Sequence, residues 1–283
     1  MQISKDKMKK IIIVILAFCF TCVKGANFKI YALAFCATSI EQIGTSCQND
    51  SSRFVEQMIS IASTLDCKMD MMVYTGDYFD KPHLIKAISD LKCTSNDVVF
   101  FYYSGRGVQP SKAPSSVWMP QLCLNYKAFE QEKFVPLPLV NDLLKEKGAR
   151  LNIILSDCCN TEHDWVSLKL TSESQEEILT DSILCPSPVV LSVDNSYSKD
   201  INVKNLEKLF CKIRGSIIAI ACKRGQVSYA PLEGGVFSMA FWDELEKVGQ
   251  KDEPDDWKTL LEKTKLKTLE VTDNKQEPFF QIM

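Results

Sequence analysis

Residues 97–107, DVVFFYYSGRG, form an apolar run that ends in a tight polar turn. Residues 97–104 have the length and composition of a β-strand covered on both faces, which is typical of parallel sheets. Residues 151–159, LNIILSDCC, repeat the pattern with a second buried strand and turn. Because the carboxyl ends of neighbouring parallel strands meet at one edge of a sheet, we expect Arg106 and Cys159 to share a cleft.

Strands and helices alternate along the rest of the chain, which predicts an α/β fold with a mostly parallel sheet of about six strands between helices. A small surface hairpin is expected within residues 109–137, and a long polar loop or insertion over residues 160–200. The other expected strands are 28–36, 68–74, 188–193 and 216–222. A first helix is expected to begin after the polar residues 49–52. The remaining expected helices are 81–91, 139–147, 203–212, 236–248 and 255–269.

Composition excludes one class of partner. The chain has 283 residues, of which 46% are hydrophobic and 24% charged, and its net charge is −3. These values are ordinary for a globular protein with a sizeable core. Because there is no basic stripe interleaved with aromatic residues, we do not expect binding to nucleic acid.

The N-terminus predicts a secretory signal peptide over residues 1–25. Four lysines precede the apolar run 11–22, and small residues allow cleavage after Gly25. A membrane anchor is the alternative, but a span needs roughly 20 apolar residues, so no span is expected in the mature chain. A lipoprotein signal is disfavoured because the bulky Phe18 and Thr21 precede the two cysteines of this segment. The predicted location is secreted or periplasmic.

Cysteine and histidine usage indicates no metal site and no cofactor. Ten of the 12 cysteines follow the predicted signal peptide, and an exported protein can form disulfides among them. The chain has only 2 histidines and no Cys/His pattern with zinc spacing. A flavodoxin-like binding domain is a further reading of the strand order, but it is disfavoured because no glycine-rich phosphate turn follows the first strand.

Cys159 is the candidate nucleophile. At the exit of a buried strand, a thiolate can attack a carbonyl while nearby backbone N–H groups stabilise the oxyanion. The alternative is a packing residue, since cysteines are among the most buried residue types. The position alone leaves both interpretations open.

Three motifs resemble the caspase and metacaspase family of cysteine peptidases. YYSGRG and LSDCCNT are similar to the turns that carry the catalytic His (SGHG) and the catalytic Cys (D-x-C) in that family. Residues 219–245, AIACKRGQVSYAPLEGGVFSMAFWDEL, resemble the metacaspase small subunit, and the QEP ending at 276–278 fits as well. The resemblance implies a caspase-like domain over residues 26–283.

Within this domain, the resemblance implies a large-subunit-like region over residues 26–160, an insertion or linker over 161–202 and a small-subunit-like region over 203–283. It also assigns roles to individual residues. Cys159 matches the attacking thiol, and the backbone N–H groups of Gly107 and Cys159 match the oxyanion donors. Ser104 and Asp157 match the lining of a pocket for a basic side chain before the scissile bond.

Arg106 stands where the resemblance requires the catalytic histidine, and Asn160 also departs from the His found there in many metacaspases. A guanidinium is always protonated and has no acceptor, so it cannot relay a proton. Loss of general acid–base catalysis typically costs about 10²- to 10⁴-fold in rate. The resemblance therefore implies a cysteine endopeptidase homologue, specific for Lys or Arg, that is weakened or inactive. The alternative is a non-catalytic module that binds a peptide or protein.

Two histidines and one ion pair complete the hypotheses about the site. His163 lies four residues beyond Cys159 in a polar loop and could carry a proton, or it is a solvated loop residue. His83 is expected on a surface helix, two strands away from the nucleophile. Arg106 could pair bidentately with Asp157 and fill the pocket from inside, or it could face solvent.

Overall fold

A computed structural model describes residues 27–124, 134–163, 189–192, 202–250 and 256–283. The predicted signal peptide, residues 1–25, lies outside the described residues. No helix in the described ranges is both long enough and apolar enough to cross a membrane.

The described strands are β1 (Lys29–Cys36), β2 (Lys68–Tyr74), β3 (Val98–Ser104), β4 (Gly107–Pro110), β5 (Gln121–Cys123), β6 (Phe134–Pro136), β7 (Leu151–Asp157), β8 (Thr161–His163), β9 (Val189–Ser192), β10 (Gly215–Ile220) and β11 (Phe279–Ile282). The described α-helices are α1 (Gly44–Thr64), α2 (Lys81–Asp90), α3 (Leu137–Glu146), α4 (Val203–Phe210), α5 (Val236–Gln250) and α6 (Trp257–Val271).

The main sheet has seven strands in the order β11-β10-β7-β3-β1-β2-β9. The five central strands are parallel, and the short outer strands β9 and β11 are antiparallel to their neighbours. The predicted α/β fold class, with a mostly parallel sheet between helices, is confirmed. The seventh strand is β11, which the sequence analysis did not anticipate.

Helices cover both faces of this sheet. The connections from β1 to β2 and from β2 to β3 run in opposite directions across it, so right-handed crossovers place α1 on one face and α2 on the other. On the first face, α1 packs against α4 and α5, and α5 packs against α6. Three aromatic side chains connect this helical layer to β3. The ring of Phe54 in α1 stacks on that of Tyr102 in β3, with 5.3 Å between the ring centroids. Trp242 of α5 packs edge-on against Phe54.

The start of α1 differs from the sequence prediction. The polar residues 49–52 looked like the opening of the helix, but α1 begins at Gly44. Asp50 and Ser51 are buried on its inward face, one turn before Phe54. The helix can begin early because Gly44 lies against the backbone of Thr38, where a Cβ atom would come within 2.4 Å of the carbonyl oxygen. The prediction that this helix begins after residues 49–52 was therefore wrong. Because the helix begins earlier, it places the carboxylate of Asp50 in the protein interior.

A second, four-stranded sheet has the order β6-β5-β4-β8 and contains the hairpin expected within residues 109–137. Its strands β4 and β8 are parallel, with Val108 opposite Thr161. They continue the chain beyond β3 and β7, which are neighbours in the main sheet. The β3–β4 turn with Arg106 and the β7–β8 turn with Cys159 therefore lie side by side. They are preceded by one pair of adjacent strands and followed by another.

Candidate active site

A cavity of about 460 Å³ opens at the carboxyl ends of β3 and β7. Its walls come from the first half of α1, the β3–β4 turn, the β7–β8 turn and the segment 227–235. All of the residues that the sequence analysis assigned to the site line it: Ser104, Arg106, Gly107, Asp157 and Cys159. The expected meeting of two strand ends at one cleft is therefore present in the fold.

Backbone contacts fix the two turns against each other. Ser104 is opposite Asp157 in the β3–β7 register, and the N–H of Gly105 donates to the carbonyl oxygen of Asp157, at 3.1 Å. Gly107 packs directly on the second turn, where a Cβ atom would lie 2.4 Å from both the Cys158 sulfur and the Cys159 carbonyl oxygen. Only glycine permits this approach, so the sequence GRG places Arg106 beside the cysteine turn.

Cys159 presents a half-buried thiol to the cavity and is not part of a disulfide. Its sulfur lies 3.9 Å from the carbonyl oxygen of Ser228. Burial raises the pKa of the Cys159 thiol above its usual value, and the contact with Ser228 and the positive charge of Arg106 oppose that shift without reversing it. The thiol is therefore largely protonated at neutral pH, despite the nearby guanidinium.

The preceding cysteine has a different environment. Cys158 is fully buried, with its sulfur 3.3 Å from the hydroxyl of Ser156. Burial raises the pKa of Cys158 well above the ordinary value. Both cysteines line the cavity, but Cys159 is the more exposed of the two, since Cys158 is only 2% exposed.

Asp157 lies at the floor of the cavity and is only 5% exposed. Its Oδ1 accepts a hydrogen bond from the Ser228 hydroxyl at 2.6 Å, and its Oδ2 accepts from the backbone N–H and hydroxyl of Ser238 at 2.9 and 2.7 Å. Burial raises the pKa of this carboxyl, and the hydrogen bonds from both serines partly offset the effect.

Asp50 is a second floor carboxylate, which the sequence analysis did not assign to the site. It is 1% exposed, and its oxygens accept from the Ser104 hydroxyl at 2.7 Å and from the backbone N–H of Gly235 at 3.0 Å. Burial, and next the charge of Asp157, raise the pKa of Asp50 to about 7. Its position could have been recognised, because Asp50 lies four residues before Phe54, in register with the apolar stripe of the helix.

Gly234 and Gly235 bring the backbone into close contact with these two carboxylates. A Cβ atom on Gly235 would lie 2.1 Å from Oδ2 of Asp157, and one on Gly234 would lie 2.6 Å from Oδ1 of Asp50. Gly234 also has a φ of 136°, a backbone conformation that side chains disfavour. The Gly-Gly pair is therefore required if both carboxylates are to occupy one floor.

Buried polar side chains hold Asp157 in place. Nε2 of Gln276 donates to the hydroxyl of Ser228 at 3.2 Å, which directs the Ser228 proton to Asp157. The Ser238 hydroxyl donates to Asp157, so the Tyr102 hydroxyl, 2.7 Å away, is the donor to Ser238. Each hydroxyl thus has a defined role, and the network orients the carboxylate toward the cavity.

Arg106 lies at the mouth of the cavity rather than on its floor. Its Nη2 donates to Oε1 of Gln42 at 2.7 Å in an exposed contact. The described hydrogen bonds of the Asp157 carboxylate are made with Ser228 and Ser238. The bidentate Arg106–Asp157 pair considered from the sequence is not found among these contacts, in which Arg106 donates to Gln42 and the carboxylate accepts from the two serines.

The two histidines have different positions. Nδ1 of His83 lies 2.7 Å from Oδ1 of Asp80 on α2, and His83 does not line the cavity. Two strands, β1 and β3, separate its parent strand β2 from β7, as expected. The backbone of His163 ends β8 opposite Pro110, but its side chain lies outside the described part of the structure. A role for His163 therefore stays a prediction.

Within the described ranges, no cluster of three or more His, Cys, Asp or Glu side chains is arranged to hold a metal ion. The expectation that the protein uses no metal and no cofactor remains a prediction from the sequence.

Comparisons with known proteins find one family match and several similar solved structures. The model of a protein family described as a caspase domain matches residues 35–283. A solved structure of protein GSU0716 from Geobacter sulfurreducens is 15% identical, with a TM-score of 0.48 over 90% of this chain and 92% of that one. Caspase-1 from Spodoptera frugiperda is 14% identical, with a TM-score of 0.46 over 90% and 86% of the two chains. No curated protein matches the sequence.

Proposed function

Because this chain belongs to the caspase domain family, we propose that it is a cysteine-peptidase homologue that binds Lys or Arg side chains and hydrolyses peptide bonds poorly or not at all. One observation carries the proposal. A single cavity has two buried carboxylates, Asp50 and Asp157, on its floor and has the Cys159 thiol beside the Arg106 guanidinium at its mouth.

The floor supports recognition of a cation. The charge of Asp157 raises the pKa of Asp50 in this buried site, because neither solvent nor a full countercharge stabilises both negative charges. An entering ammonium or guanidinium group would supply the missing charge. Arg53 provides only partial compensation, since it lowers the pKa of Asp50 less than burial and Asp157 raise it. A basic side chain of a peptide or protein is therefore the proposed ligand group.

The mouth supports weak catalysis. Peptide hydrolysis by a thiol needs a group that removes its proton and later protonates the leaving amine. Arg106 can do neither, and the Cys159 thiol stays protonated because its burial outweighs the effect of the guanidinium. The expected loss in rate is about 10²- to 10⁴-fold relative to a site with a histidine.

An active peptidase is the second candidate function. His163 follows Cys159 by four residues and ends a strand that starts at the cavity wall. If its imidazole reaches the thiol, it could replace the missing histidine. The hydrolysis assay described next separates this candidate from the first.

Cleavage of fluorogenic peptides that end in Lys or Arg before the reporter tests the proposal. We expect Arg106→His to hydrolyse them about 10²- to 10⁴-fold faster than the unaltered chain, and Cys159→Ala to abolish the gain. Arg106→Gln is the matched control, since it removes the charge without adding a proton carrier, and it should remain inactive. Fast hydrolysis by the unaltered chain that is lost in His163→Ala would instead establish the second candidate.

We also propose that the protein acts after export, as a secreted or periplasmic protein. The support is the lysine-led apolar segment 11–22 and the small residues that would allow cleavage after Gly25. N-terminal sequencing of protein recovered from outside the cytoplasm should begin at Ala26. An intact N-terminus would contradict the proposal.

A further inference from the structure

We propose that the cavity binds the C-terminal Lys or Arg of a polypeptide, with the α-carboxylate of that residue at Arg106 and its side-chain cation at Asp50 and Asp157. This inference rests on the proposed recognition of basic side chains and specifies the other end of the ligand residue. Endoproteolysis after a basic residue is the class of reaction that generates such C-termini. The protein would then recognise the products of that cleavage rather than its substrates.

Opposite charges lie at different depths of the cavity. Asp50 and Asp157 are almost fully buried, whereas Arg106 is partly exposed and its contact with Gln42 lies at the surface. A C-terminal lysine has the same arrangement, with a cation at one end of a four-carbon stem and a carboxylate at the other. The cavity volume of about 460 Å³ lies within the range of small-ligand sites.

The chemistry of Arg106 favours a carboxylate over the neutral amide of an internal residue. A guanidinium carries a permanent charge and five N–H donors, and its planar fork matches the two oxygens of a carboxylate. Its described contact is with the neutral amide oxygen of Gln42, at 2.7 Å. An internal Lys or Arg would instead present a peptide carbonyl and a following residue at the same position.

The position of Arg106 is fixed relative to the floor. It follows Ser104 by two residues, and the Ser104 hydroxyl donates to Asp50 at 2.7 Å. The next residue, Gly107, is in close contact with the cysteine turn. The β3–β4 turn therefore links the cationic mouth to the anionic floor, so both ends of one ligand residue can be bound together.

The state of Cys159 is compatible with an anionic group beside it. A thiolate next to Arg106 would repel a bound carboxylate and compete with it for the guanidinium. Because burial raises the pKa of Cys159, the sulfur is a neutral thiol at neutral pH and does neither. The same feature that impairs hydrolysis thus favours retention of a C-terminal carboxylate.

Fluorescence anisotropy with three labelled hexapeptides tests the inference on the unaltered chain. The peptides share five residues and end in lysine with a free carboxylate, in lysine amide, or in norleucine with a free carboxylate. Loss of a charged hydrogen-bonded pair should weaken binding, so we expect the free acid of lysine to bind roughly ten- to a hundredfold more tightly than its amide. It should also bind more tightly than the norleucine peptide, which lacks the cation.

Three substitutions identify the residue responsible. In Arg106→Gln, the acid and amide of the lysine peptide should bind within a few-fold of each other, while Arg106→Lys should retain part of the preference. Arg214→Gln is the matched control, because Arg214 is exposed next to Gly215, the first residue of β10, and does not line the cavity. It should keep the full preference. Far-ultraviolet circular dichroism verifies that each variant is folded.

The outcomes separate this inference from the proposed function. If the unaltered chain binds lysine acid and lysine amide equally, and both more tightly than norleucine, the inference is overturned and recognition of basic side chains stands. If lysine has no advantage over norleucine, both are overturned. A preference for the acid that survives in Arg106→Gln would overturn the assignment of the carboxylate to Arg106.

Discussion

Asp50→Asn should change the pH dependence of folding stability in a defined direction. The pKa of Asp50 is raised from 3.8 to about 7 in the folded chain, chiefly by burial and then by Asp157. Between these values the folded state retains a proton that the unfolded state has lost. The free energy of unfolding that this carboxyl contributes is therefore greatest at low pH, decreases as the pH rises toward 7, and is constant above it.

The magnitude follows from one proton. A difference of one bound proton changes the free energy of unfolding by at most about 1.4 kcal/mol per pH unit. Asp50→Asn cannot titrate, so the stability difference between the unaltered chain and this variant should shift by up to that amount per unit from pH 5 to pH 7. The amide can serve only one of the two donors, Ser104 and Gly235, through its single oxygen, and this loss is a destabilising contribution that does not change the slope.

Urea denaturation at pH 5, 6, 7 and 8 measures this shift. Asp90→Asn is the control, since Asp90 is an exposed carboxyl whose pKa is lowered by its hydrogen bond to Lys86 and which stays ionised above pH 5. Its profile should run parallel to that of the unaltered chain. If Asp50→Asn also runs parallel between pH 5 and pH 7, Asp50 does not hold a proton in the folded protein and the shared anionic floor is wrong.

Two further predictions concern the floor and the thiol. Gly235→Ala should lower the unfolding temperature and abolish binding of lysine peptides, because the added Cβ atom would lie 2.1 Å from Oδ2 of Asp157. Unchanged stability and binding would contradict this close contact between Gly235 and Asp157. Alkylation of Cys159 by iodoacetamide, followed by mass spectrometry, should be slow at pH 7 and accelerate as the pH exceeds the ordinary thiol value of 9, because burial raises the pKa of this thiol. Arg106→Gln should slow it further at pH 7, because the positive charge of Arg106 lowers the pKa of this thiol. Rapid labelling of the unaltered chain at pH 6 would show that the thiol is ionised.

The sequence predicted the parts of the fold whose residues are buried on both faces. The strands β3 and β7 are buried along their whole length and each has an apolar centre, so their existence, their parallel pairing and the meeting of their turns followed from local pattern. The outer strand β11 was missed. Only one of its four residues is even partly buried, so no alternation of apolar and polar residues identifies it as a strand.

The candidate site was predictable where a residue follows a strand and was missed where it depends on a distant element. Asp157 and Cys159 were found from their turn. Asp50 reaches the same floor from a helix, and its polar neighbours suggested a helix start. Ser228 was missed because its hydrogen bond joins segments 71 positions apart, a contact that a single sequence does not reveal.

Cysteine-dependent hydrolysis by the unaltered chain tests the central claim most directly. The claim is that a permanently cationic side chain occupies the position of a proton carrier beside a protonated thiol. The measurement is kcat/KM for Lys and Arg peptides at high protein concentration, compared with Cys159→Ala. We expect any hydrolysis that depends on Cys159 to be at least about 10²-fold slower than that of Arg106→His. Robust cleavage by the unaltered chain that disappears in Cys159→Ala would contradict it.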